Sequence, residues 1–168
     1  MASFTAKAIS LKTAPFAEAD KLVTLISRGH GKIKAIAKGA RRVPSRLGGR
    51  VEPFTYAEYF VAKGRNLDIL SQCEMIETFQ AIRETGALLP AGLYLLKLVD
   101  SGTLEGQHHP ELFDLLLNSL YRLKALVDPG KVVLEFEKDF ARIEGILEQG
   151  KSPRESLSDH VGRELKLW

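Results

Sequence analysis

Near residue 76 the repeat of the hydrophobic pattern changes, and this constrains the fold more than any other feature of the sequence. Before it, apolar residues alternate with polar ones, as along a strand with one face in a core. After it, they recur every three or four residues, as along helices. Leu22-Val23-Thr24-Leu25-Ile26 is short and β-prone and ends at the turn Gly29-His30-Gly31. The next run, Lys32 to Lys38, carries lysines at even positions and Ile33, Ala35 and Ala37 at odd ones. These two runs predict a hairpin. Phe4 to Leu11, the aromatic run Phe54 to Ala62 and the run after Gly64-Arg65-Asn66 bring the strands to five. In the last run Leu67, Ile69, Ser71, Cys73 and Met75 are expected on one face. Five short two-faced strands suggest a small closed or partly open barrel.

The second half predicts helices. Residues 88–99 are apolar nearly all round, as in a buried helix. Pro110 opens a helix expected over 111–127, striped by Leu112, Leu116, Leu120 and Leu123. After the break Asp128-Pro129-Gly130, the stripe Val133, Phe136, Phe140, Ile143 and Leu147 traces another. Ser152-Pro153-Arg154-Glu155 has the form of a capping box. The expected fold is α+β: a five-stranded OB-like barrel over residues 1–76, then a small α-helical domain over 77–168.

Charge follows the same division. Residues 1–75 hold 13 lysines and arginines against 6 acids, and residues 76–168 hold 11 against 15. A basic half joined to an acidic half suggests a module for a polyanion on a different kind of support. From Lys21 to Val51 there are nine basic residues and no acid. A solvated face is the competing reading, but such faces usually mix signs. Arginines grip phosphate with two prongs, and glycines let a backbone come close. Lys32, Lys34, Lys38, Arg41, Arg42, Arg46 and Arg50 are therefore candidates for a phosphate-tracking surface, with Arg28 a lesser one. Phe54, Tyr56, Tyr59 and Phe60 are read mainly as core.

Catalytic patterns are missing. There is no Walker loop, no GxGxxG and no paired-histidine metal motif. His30 sits in a turn, and His108-His109 precede a helix. The single cysteine, Cys73, falls in a strand and reads as a buried thiol. No enzymatic activity and no cofactor are expected. The N-terminus lacks the apolar stretch of a signal peptide, and no apolar run approaches a membrane span, so a cytoplasmic, nucleoid-associated location is expected.

The stretch GHGKIKAIAKGARRVPSRLGGRVEPF resembles the N-terminal barrel signature of the RecO family. LDILSQCE is similar to that family's fifth-strand region. YLLKLVD, HPELFDLLLNSL and DHVGRELKLW resemble its helices, in the family's order. The resemblance implies an OB-fold joined to a helical domain. It implies binding of single- and double-stranded DNA without sequence preference, and annealing of complementary strands. As partners it implies RecR, the C-terminal tail of the single-stranded DNA-binding protein SSB and, indirectly, RecA, in gap repair and homologous recombination. Many relatives also carry a four-cysteine zinc module among the helices. Here Ile146 to Ser152 leave no room for it, so the module was lost or the chain is a shortened form, and a Cys-based zinc site is excluded. Two other readings remain: an adaptor whose helices dock an acidic SSB-type tail, and an RNA-binding barrel. For the DNA reading, reversing Lys34 and Arg41 to Glu is expected to abolish binding without unfolding.

Overall fold

A computed structural model describes residues 2–45 and 47–162. The chain divides into two compact units, Met1–Thr78 with Leu104–Pro110 and Phe79–Thr103 with Glu111–Trp168.

The first unit is a closed five-stranded barrel: β1 Ser3–Phe16, β2 Asp20–Ser27, β3 Gly31–Ala37, β4 Tyr56–Ala62 and β5 Asp68–Glu77. Its order around the barrel is β1-β2-β3-β5-β4, with β4 returning to β1. All neighbours are antiparallel except β3 and β5. Closure depends on β1, which runs five residues beyond the expected Leu11. Its register slips between Ser10 and Lys12, so Leu11 is an extra residue. Such a bulge bends a strand. The first part of β1 pairs with β4 and the second with β2, with Ala8 and Ile9 paired on both sides.

Alternation then fills the interior. Ala6, Ala8, Val23, Leu25, Ile33, Ala35, Ala37, Ala57, Tyr59 and Val61 form one buried cluster. Burying a Val, Leu or Ile side chain contributes about 1.5–3 kcal/mol, so these positions hold the strands in register. Tyr59 is fully buried and donates its hydroxyl to the Arg50 carbonyl at 2.9 Å. On β5 the expected face is corrected. Phe60 pairs with Gln72 and Val61 with Leu70, which leaves Ser71 as a bulge. The inserted residue brings Leu70 and Cys73 into the core together, in place of Ile69 and Ser71; Met75 keeps the Cys73 face, opposite Ala57, but is exposed.

Residues 104–110 return to the start of β3. The Gly106 N–H donates to the Lys32 carbonyl at 3.0 Å. A Cβ on Gly31 would lie 2.1 Å from the Gln107 carbonyl oxygen, and Gly31 has φ +66°. Both clash and left-handed backbone disfavour any other residue there. Gly31→Ala is expected to lower stability by about 2–3 kcal/mol, read as a lower midpoint in urea unfolding with an unchanged slope.

The second unit is helical: α1 Gln80–Glu84, α2 Leu88–Gly102, α3 Pro110–Lys124, α4 Pro129–Ile143 and α5 Pro153–Val161. Sequence periodicity is blind to α1, which is only five residues long. Asp128 caps α4 by accepting from the Lys131 N–H at 3.1 Å, with Pro129 in the first turn. The capping box at Ser152 and Glu155 is formed at the start of α5. Val133, Phe136 and Phe140 are buried as their spacing requires, but α4 stops at Ile143 and Leu147 is exposed. Gly145, at φ +68°, follows that stop, as glycine does after many helix ends. α2 and α4 approach closely where Gly102 faces the Phe140 ring. No helix among the described residues is long and apolar enough to cross a membrane.

A buried polar network joins α2, α4 and α5. Glu137 is 2% exposed, and both its oxygens are held by Arg154, from Nε at 2.6 Å and Nη2 at 3.0 Å. Tyr94 donates its hydroxyl to Glu137 Oε2 at 2.7 Å. Burial and then the neighbouring carboxylate push the Tyr94 phenol well above its ordinary range, so it stays a donor.

Candidate nucleic-acid interface

Because opposed residues in a ladder share a face, the outer surface of the barrel can be read row by row. Lys12 lies opposite Thr24, and Thr24 opposite Lys34. The next row is Ala14, Leu22, Ile36 and, across the parallel seam, Ile69. β3 then ends, and Lys38 and Gly39 turn the chain into the basic loop.

The loop is tethered rather than loose. Gly39, at φ +71°, donates its N–H to Asp20 Oδ1 at 2.8 Å. The Arg41 N–H donates to the Ala19 carbonyl at 2.9 Å. Ala40, Leu47 and Val51 sink into the barrel core. Ser45 Oγ accepts from the Leu47 and Gly48 N–H groups, at 3.1 and 3.0 Å, before a 3-10 turn over Gly48–Arg50. Ser10 donates to the Val51 carbonyl at 2.7 Å. Apolar anchors inside thus leave Arg41, Arg42 and Arg50 outside.

The candidate cations separate into groups. Lys34 is half-buried on the outer face, and Lys38 and Arg42 are exposed. None of these three meets a carboxylate among the described residues, whereas Lys21 pairs with Glu52 and Lys63 with Asp68. Arg41 is exposed but donates from Nη1 to the Ala17 carbonyl at 3.2 Å. Arg50 reaches toward Cys73 on β5. Burial pushes that thiol up, and the guanidinium works against the rise. Lys32 is only 8% exposed, where residues 104–110 pair with the start of β3. Arg28 is exposed in the β2–β3 turn, at the other end of β3 from Lys38, roughly 20 Å along the strand. Arg46 lies outside the described residues. The fold therefore brings Lys34, Lys38 and Arg42 to one side of the barrel and sets Lys32 and Arg28 apart from them.

Lys12 lies on the same outer row, although the sequence pattern does not single it out. It is exposed in the same cross-strand row as Lys34. Only continuing the β1 alternation beyond Leu11 and across a bulge would find it. His30, in the β2–β3 turn, stacks on Phe4 with ring centroids 4.3 Å apart. Phe54 and Tyr59 are core residues.

Fold and surface together define a class: an OB-like barrel with a cationic outer face, followed in the chain by helices. Family models described as "Recombination protein O N terminal" and "Recombination protein O C terminal" match residues 1–79 and 83–146. The DNA repair protein RecO of Pelotomaculum thermopropionicum is 41% identical over 145 residues, covering 86% of this chain and 56% of that protein. The DNA repair protein RecO of Bacillus subtilis is 36% identical over 138 residues, covering 82% and 54%. The chain belongs to the RecO family. It spans about half the length of the curated relatives it matches.

Proposed function

We propose that this protein is a non-enzymatic mediator of DNA repair and recombination that binds DNA through its barrel. In this reading residues 1–76 are the nucleic-acid-binding domain and residues 77–168 the helical RecO-type domain. The observation that carries it is the set of cations on one side of the barrel, Lys34, Lys38 and Arg42, with no carboxylate to neutralise them among the described residues. Phosphates bound there release condensed counterions, which drives binding without reading sequence.

The same physics supplies a mechanism for annealing. Two strands repel as polyanions. Neutralising phosphates lowers that repulsion and leaves most base edges free to pair. RecR, the SSB tail and, through them, RecA are the partners that family membership suggests for placing this activity at a gap. Single- and double-stranded DNA are the proposed ligands, and Lys32, Arg28, Arg41, Arg46 and Arg50 remain proposed contributors beside the central three.

Fluorescence anisotropy with a labelled single-stranded oligonucleotide across a salt series tests this. If about four to six phosphates are engaged, log K should fall against log salt with a slope near −3 to −4. No binding at low salt would remove the barrel surface as a DNA site.

A further inference from the structure

At the seam between β3 and β5 the barrel opens into a cleft of about 430 Å³. Its origin is topological. Only three residue pairs join β3 to β5, ending at Ala37 and Leu70. β3 then turns away at Gly39, and the next residue of β5, Ser71, is the bulge, with no register partner on β4 either. Both ladders lapse at one point, and the basic loop arches over the gap.

The walls have a definite chemistry. Pro44, Leu47 and Ile69 give apolar surface, and Lys38 and Arg42 bring positive charge. Two serines, Ser45 and Ser71, also line the cleft. Ser45 Oγ already accepts two backbone N–H groups, so its own proton is left to donate. Ser71 donates to the Phe60 carbonyl at 3.3 Å, so its oxygen is left to accept. A phosphate alone needs no apolar wall, and an apolar ligand needs no flanking cations. A flat heterocycle with donors and acceptors on its edge, attached to phosphates, needs both.

We propose that this cleft receives one unpaired base of a bound DNA strand, with the neighbouring phosphates on Lys38 and Arg42. The inference rests on the DNA-binding reading of the barrel and adds a base subsite to it. The volume falls within the roughly 300–1,000 Å³ range of small-ligand sites. One donor and one acceptor suit the edge of any base, so the subsite is tolerant of sequence. It is not tolerant of pairing. A base inside a duplex cannot enter, so the cleft favours single strands and releases the strand once it has annealed.

The test compares three labelled ligands of equal length at one salt concentration: oligo-dT, an abasic strand with the same phosphates, and a duplex. The intact protein is expected to bind oligo-dT about tenfold more tightly than the abasic strand, which corresponds to about 1.4 kcal/mol for the apolar and hydrogen-bond contacts to one base. Ser71→Trp fills the cleft from an exposed position and leaves every cation in place. It is expected to erase the preference while keeping the abasic affinity and its salt slope, and circular dichroism checks the fold. Equal affinity of the intact protein for oligo-dT and the abasic strand would overturn the base subsite and leave the phosphate-binding surface standing. So would a folded Ser71→Trp variant that kept the preference. Failure to bind any of the three would overturn the DNA-binding reading itself, and the subsite with it.

Discussion

Reversing Lys34 and Arg42 together to glutamate is expected to weaken single-strand binding by about 100-fold or more at low salt, with the fold retained. A charge-assisted hydrogen bond contributes about 1.5–3 kcal/mol, and each reversal also adds repulsion from the phosphates. Neither side chain has a carboxylate partner among the described residues, so neither reversal breaks an internal ion pair. The structure changes the choice of arginine. Arg41, the neighbour that the sequence pattern favours, spends one guanidinium nitrogen on the Ala17 carbonyl. Arg42→Glu should therefore cost more affinity than Arg41→Glu. Lys138→Glu, on exposed helical surface, serves as a control for net charge and should change little. Anisotropy titrations with thermal melts separate lost binding from lost fold. A folded double variant that binds as tightly as the parent would remove the site from β3 and its loop.

The second large effect concerns stability. Arg154→Met is expected to destabilise the protein by about 3–5 kcal/mol, because it strands the Glu137 carboxylate in the interior with only the Tyr94 hydroxyl beside it. Removing both charges should cost much less. Glu137→Leu with Arg154→Met is expected to recover most of the loss, since a buried ion pair is often worth little more than apolar residues of similar volume. Urea unfolding of the two single variants and the double variant measures the coupling. If the losses simply add, the network does not act as a unit.

Part of the candidate site is legible in the sequence. The alternation in Lys32 to Lys38 assigns Ile33, Ala35 and Ala37 to the core and the lysines to the other face, and the core cluster contains those three residues. Alternation says which way a side chain points from its strand, and nothing about what lies over it. That is why Lys32 and Lys34 look equivalent in sequence, although one is nearly buried and the other only half so. Bulges set the other limit. Each inserts one residue and flips every later face, which no period-2 count detects. The bulge at Leu11 conceals Lys12, and the one at Ser71 reverses the reading of β5 for the residues before it, while Cys73 and Met75 keep the expected common face.

Local periodicity is enough to assign the class of each longer element, because it reflects which face of a strand or helix must leave water. The order of strands before helices, the caps at Asp128 and Ser152, and the acid-free stretch from Lys21 to Val51 are equally plain in the chain. Closure of the five strands through a bent β1 is settled in three dimensions. So is the choice of which cations share a side of the barrel, and the cleft that two lapsed ladders leave beside them. The physical reason is that closure, register slips and coverage arise between segments far apart in the chain. Their energies belong to pairs of residues that no local pattern records.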